Sequence, residues 1–187
     1  FIMKMITLGT TGITVPQNAF GALPVQRVNM DTAVQILRRA YDGGMRFFDT
    51  ARAYSDSEEK LGEAFHDRRE KIVISTKSQG KTKEQVLADL DTSLKQLRTD
   101  YVDILQLHNI PAVPDLEDEN SPYYALVEAK KQGKIRFIGI TNHRLGVAEE
   151  AAASGLYDTL QFPFCYLATE RDIALVNLCK ENHVGFI

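Results

Sequence analysis

Residues 71–108 read KIVISTKSQGKTKEQVLADLDTSLKQLRTDYVDILQLH, and this stretch changes period twice. Lys71–Ser75 is short, apolar and β-branched, the composition of a covered strand. A polar stretch containing Gly80 follows, and Thr82 with Gln85 has capping-box spacing ahead of a helix that reaches Leu97. Val102–Leu107 is a second strand. Strand, helix, strand in direct succession is the signature of parallel pairing through a helical crossover.

The rhythm extends in both directions. Upstream, Lys4–Leu8 and Ile13–Val15 flank the turn Gly9-Thr10-Thr11-Gly12 and predict a short hairpin, and Asn18–Ala22 is a short strand ending near Gly21. Met30–Tyr41 carries apolar residues at 33, 34, 37, 40 and 41, with Asn29 as its cap and Gly43-Gly44 as its stop. Met45–Phe48 is a strand, and Asp56 with Glu59 predicts a capping box for a helix running to about His66. Downstream, Ser121-Pro122 opens a helix that stops at Gly133, and Ile135–Ile140 is a strand. Leu145–Ser154 is a helix closed by Gly155, Asp158–Phe162 a strand, Thr169–Lys180 a helix, and Val184–Ile187 the start of one more strand. Strands separated by helices throughout predict an all-parallel α/β architecture. We expect a (β/α)8 TIM barrel with an N-terminal hairpin at residues 3–16, truncated near the seventh strand, residues 1–187 forming a single incomplete domain. A complete open sheet is the alternative.

The chain has 187 residues, 44% of them hydrophobic, which suffices for one core but not for two full domains. Its 22 basic and 25 acidic residues are scattered, and the densest basic cluster, Arg68, Arg69 and Lys71, has the look of a solvated helix end. No nucleic-acid partner is expected. Cys165 and Cys179 are too few for a disulfide framework or a metal cluster. Both lie in apolar surroundings and are expected as buried thiols, so no metal site and a reducing, cytoplasmic setting are predicted. No apolar stretch approaches the ~20 residues that cross a bilayer, and the opening FIMKMITL is too short for a signal peptide. Met3 reads as a start preceded by Phe1 and Ile2.

Polar residues fall at one recurrent place. Asp49 follows Met45–Phe48, Lys77 follows Ile72–Thr76, His108 follows Ile104–Leu107, Thr141-Asn142 follow Ile135–Ile140, and Gln161 lies near the end of Asp158–Phe162. Each alone has an ordinary explanation: a loop cap, a solvated strand end, a packed ring for Tyr54, a helix cap for Thr141-Asn142. Together they would ring the C-terminal mouth of a barrel, where such folds do their chemistry.

A tyrosine with a reference pKa near 10 is a weak acid at neutrality, and a nearby ammonium favours its phenolate. Lys77 is therefore expected to pull Tyr54 down, with Asp49 orienting Lys77 and offsetting part of its effect on Tyr54, and with His108 either donating to a substrate oxygen or helping to relay the proton. Such a set suits a carbonyl that receives hydride. No side chain donates hydride, so a reduced nicotinamide is implied. Asn142 and Gln161 can each donate and accept toward its amide, helped by the Thr141 hydroxyl. The chain has no G-x-G-x-x-G, no Walker loop, no H-E-x-x-H and no G-x-S-x-G.

The blocks Phe47-Phe48-Asp49-Thr50-Ala51 with Tyr54, Ser57-Glu58 with Leu61-Gly62, and Ile74-Ser75-Thr76-Lys77 resemble the aldo-keto reductase family. So do Asp100-Tyr101-Val102-Asp103 leading to Gln106-Leu107-His108, the run Gly133 to Asn142, and Asp158 through Gln161-Phe162-Pro163-Phe164. The resemblance spans nearly the whole chain. It implies a barrel that binds NADPH, less often NADH, and reduces aldehydes or ketones, acting as a monomer or weak oligomer. It makes Asp49, Tyr54, Lys77 and His108 the catalytic set, with Tyr54 as general acid, and Thr141, Asn142 and Gln161 the holders of the nicotinamide amide. Gly21 would lie by the cofactor, and the hairpin would plug the barrel floor. Thr141 stands where the family usually has Ser, and Cys165 where Asn is frequent. The Gly9–Gly12 turn and the final residues resemble a prokaryotic branch, some of whose members carry a C-terminal iron–sulfur domain. The rival reading is a cofactor-binding regulatory or redox-sensing barrel with little turnover.

Overall fold

The structure is a computed structural model that describes residues 3–187; Phe1 and Ile2, read above as preceding the start, lie outside the described residues. An antiparallel pair, β1 (Met5–Thr7) and β2 (Thr14–Pro16), opens the chain. Seven parallel strands follow in sequence order: β3 (Phe20–Gly21), β4 (Phe47–Asp49), β5 (Val73–Ser78), β6 (Val102–His108), β7 (Ile135–Thr141), β8 (Thr159–Gln161) and β9 (Gly185–Phe186). Between them run α1 (Met30–Asp42), α2 (Ser57–Phe65), α3 (Lys83–Leu97), α4 (Pro122–Lys131), α5 (Leu145–Ala153) and α6 (Glu170–Glu181). This is the order of seven of a barrel's eight strands. The sheet is open, since β3 and β9 do not pair with each other.

Local chemistry sets most of the boundaries. Asn29 accepts a hydrogen bond from the Thr32 amide at 2.9 Å and starts α1. The Thr169 hydroxyl accepts from the Asp172 amide while the Asp172 carboxylate takes the Thr169 amide, a full capping box for α6. Two predicted boxes differ. Asp56 makes no cap bond to α2; its carboxylate is held by Lys60 at 2.7 Å, and Lys60 is anchored by the carbonyls of Val25 and Val28. At α3 the Thr82 hydroxyl caps Gln85 as expected, but the Gln85 side chain accepts from the Lys81 amide instead of returning to Thr82.

Successive strand side chains point to opposite faces, so register decides which residues share one. Phe48, Ile74, Leu105, Leu107, Ile138, Ile140 and Leu160 face the helices and form the main core. On the other face Phe47 and Ile104 are buried with Leu8, Ile13 and Val15 of the hairpin, and Val73 and Phe137 pack beside them. Further along that inner face the register aligns Lys77 with Gln106, Gln106 with Gly139, His108 with Thr141, and Thr141 with Gln161. The inner face is thus apolar where the strands begin and polar where they end. Cys179 is buried as expected; Cys165 is exposed, because it lies in the loop between β8 and α6 and not in a strand.

Candidate active site

The loop after β4 places the reactive groups. Its backbone stays zipped to β5, with the Thr50 amide donating to the Ser75 carbonyl and the Arg52 amide to the Lys77 carbonyl, both at 2.9 Å. Two buried side chains at the start of α2 lock it from outside. The Ser57 hydroxyl is 2.8 Å from that of Thr50 and donates to the Ala22 carbonyl. Glu58 takes a hydrogen bond from Thr76 at 2.6 Å and pairs with Arg52. Tyr54 sits on this braced loop, so its ring is carried over the end of β5.

Lys77, 2% exposed, donates to Asp49 Oδ2 and to the Thr50 carbonyl, both at 2.6 Å. Its ammonium lies 5.2 Å from the centroid of the Tyr54 ring. The His108 ring meets Tyr54 edge-on at 5.8 Å between centroids. Asp49, Tyr54, Lys77 and His108 are therefore brought together. Gly21 is in register with Asp49, exposed, and faces open space. Thr141 and Gln161 share the inner face with His108. Ala22 and Ile110, just beyond the ends of β3 and β6, are buried in the core.

The two amides are already half engaged. Asn142 donates to the Ile110 carbonyl at 2.7 Å and accepts from the Arg144 amide at 2.8 Å. Gln161 accepts from Gln106 at 2.7 Å and donates to Asp49 at 3.4 Å. Each keeps one N–H and one lone pair free. Gln106 and its partner Ser75, together with Ser57 and Glu58, are site-building residues whose roles the sequence did not reveal. A glutamine inside the strand run Ile104–Leu107, two positions before His108, is the signal that marks Gln106.

Electrostatics correct one expectation. Tyr54 is raised above its ordinary value, first by burial and then by the Asp49 carboxylate, and is not pulled down by Lys77. The Lys77 ammonium is held by two short bonds, and the Asp49 carboxylate that receives one of them acts on Tyr54 in the opposite sense to Lys77. Burial also lowers Lys77, against the pull of Asp49. His108 falls to about 4 through burial and the Lys77 charge, so it is a neutral imidazole at neutral pH. Its Nδ1 and Asp49 Oδ1 are buried without partners. Among the described residues no group of three or more His, Cys, Asp or Glu side chains is placed to hold a metal, and no helix is long and apolar enough to cross a membrane.

A parallel α/β barrel sheet with ionisable groups at the C-terminal ends of its strands defines a class of enzyme-bearing folds. Within that class, the model of the aldo/keto reductase family matches residues 6–187, and the chain belongs to this family. It is 36% identical over 163 residues to the L-galactose dehydrogenase of Arabidopsis thaliana, covering 78% of this chain and 50% of that protein. It is 37% identical over 147 residues to a methylglyoxal reductase of Salmonella typhi, covering 76% and 53%. A solved aldo/keto reductase from Klebsiella pneumoniae, in complex with NADP and acetate, matches with a TM-score of 0.85 at 23% identity over 99% of this chain and 67% of that one. That last likeness concerns the fold. The chain spans about half the length of the curated relatives it matches.

Proposed function

We propose that the protein reduces an aldehyde or ketone with NADPH, Tyr54 giving the proton. The observation that carries this is the Lys77 ammonium, held at 2.6 Å by Asp49 and 5.2 Å from the ring of Tyr54. The residues fit a nicotinamide: Asn142 and Gln161 keep a donor and an acceptor each for a carboxamide, with the Thr141 hydroxyl beside them and open space at Gly21. When bound, the reduced cofactor supplies the hydride that no side chain can.

The chain's own residues handle the proton. Burial and Asp49 keep the phenol of Tyr54 protonated, so the proton is present when needed. As the carbonyl carbon gains hydride, its oxygen becomes negative and takes that proton, and solvent later restores it to the phenolate. Lys77 offsets the phenolate charge at that moment, a stabilisation realised only as the charge develops. Asp49 holds Lys77 in place. With Nδ1 of neutral His108 buried, Nε2 is the nitrogen that can offer an N–H to the substrate oxygen. Relatives named a dehydrogenase and a reductase support the same reaction class. A small carbonyl compound is the partner in this proposal, which involves no nucleic acid or membrane, and the two free thiols fit the cytoplasm.

The test is Tyr54→Phe in the purified protein, with NADPH binding followed by calorimetry and turnover by absorbance. Binding should stay within about twofold while carbonyl reduction falls by roughly 100-fold or more. A variant that reduces a good substrate near the parent rate removes Tyr54 from the chemistry. Tight NADPH binding with no turnover by the parent on any aldehyde or ketone favours a regulatory barrel.

A further inference from the structure

We propose that Gln106, held by Ser75, is a positioning residue that fixes the amide of Gln161 for the cofactor; this rests on the nicotinamide reading above. The inner face carries one continuous hydrogen-bond chain. Lys77 donates to Asp49 at 2.6 Å, Gln161 donates to the same carboxylate oxygen at 3.4 Å, Gln106 donates to Gln161 at 2.7 Å, and the second N–H of Gln106 goes to Ser75 at 2.9 Å. A carboxylate only accepts, so Asp49 dictates the direction of every member. Gln161 must turn its NH2 toward Asp49, which turns its carbonyl toward Gln106, which must answer with N–H. Were Gln106 unable to donate, the Gln161 carbonyl would lose its anchor, and the 3.4 Å bond to Asp49 alone would leave the amide free to swing about that contact. A swung amide no longer presents its free N–H and lone pair to a carboxamide.

Stability alone does not account for Gln106. It is fully buried, and its own carbonyl oxygen has no partner, a desolvation cost that an apolar side chain would avoid. Space has also been made for it. A methyl group on Gly139, the neighbour of Gln106 in register, would lie 2.8 Å from Gln106 Cγ and 2.6 Å from Thr159 Oγ1. Gly139 therefore lets the Gln106 side chain lie flat along the inner face toward Gln161.

The experiment is a double-mutant cycle on NADPH affinity, measured by calorimetry without turnover, using Gln106→Met, Gln161→Met and the pair. Gln106→Met should weaken NADPH binding about five- to tenfold, the loss of one well-placed ligand hydrogen bond. In the Gln161→Met background the same change should have no further effect, because its route of action is gone. Gly139→Ala, which crowds Gln106 and the Thr159 hydroxyl while keeping the Gln106 amide, should weaken binding in the same way and keeps the test open if Gln106→Met does not fold. Additive effects of Gln106 and Gln161, or unaltered binding in both Gln106→Met and Gly139→Ala, overturn the positioning role. A parent that does not bind NADPH at all overturns the cofactor reading itself, a distinct outcome.

Discussion

At the scale of single residues, the site is governed by how few charges it exposes. Lys77 and Asp49 neutralise each other within 2.6 Å, and His108 is kept neutral by burial and by the same lysine. This has a consequence for pH. The folded value of His108, about 4, lies below its ordinary 6.5, so between those values the unfolded chain binds a proton that the folded protein refuses. The His108 contribution to stability is therefore full above about 6.5, declines as pH falls through that window, and is gone below about 4. An NMR titration of the His108 ring should show its midpoint near 4, and His108→Gln should lose less thermal stability than the parent between neutrality and that pH. A midpoint near 6.5 would show that burial and Lys77 do not act on the ring as described. That these strand ends share one face was legible, because Asp49, Lys77, His108 and Gln161 each end an apolar run. The direction of the Tyr54 shift was not, since it depends on how far the fold buries the phenol and how near it brings the Asp49 carboxylate.

At the scale of elements, α2 is the brace that sets the Tyr54 loop, and its own placement depends on a close approach to α3. A methyl group on Gly62 would drive into the backbone of Gln96 and Leu97. Backbone on both sides cannot give way as a flexible side chain would. Gly62→Ala should therefore cost about 1–3 kcal/mol, as overpacked contacts do, read as a lower midpoint in urea; an unchanged midpoint would mean that the helices separate freely. The capping signals that failed, Asp56 with Glu59 and half of the Thr82 box, failed for one reason. Local spacing shows what a carboxylate or amide can cap, but not that Lys60 or the Lys81 amide competes for it.

At the scale of the whole molecule, the strands are tied at their beginning as well as their end. Asp103, 1% exposed, pairs with Arg69 and Arg136 at 2.7 Å each and accepts the Ile74 amide at 2.9 Å, joining β5, β6 and β7 on the helix-facing side. Asp103→Ala would leave the buried Arg69 guanidinium without its counter-ion and should destabilise the protein by roughly 3–5 kcal/mol. A denaturation curve displaced by less than 1 kcal/mol would assign the pinning to the packed core alone. The sequence by itself determined the strand and helix order, the parallel sheet and the strand-end placement of the ionisable groups, because periodicity and capping are local properties of a chain. Tertiary structure alone decided which polar atoms meet. Register places Gln106 between Ser75 and Gln161, β5 holds the Tyr54 loop, and burial sets the protonation of His108. Those outcomes arise from residues far apart in the chain, whose distances exist only once the sheet has formed.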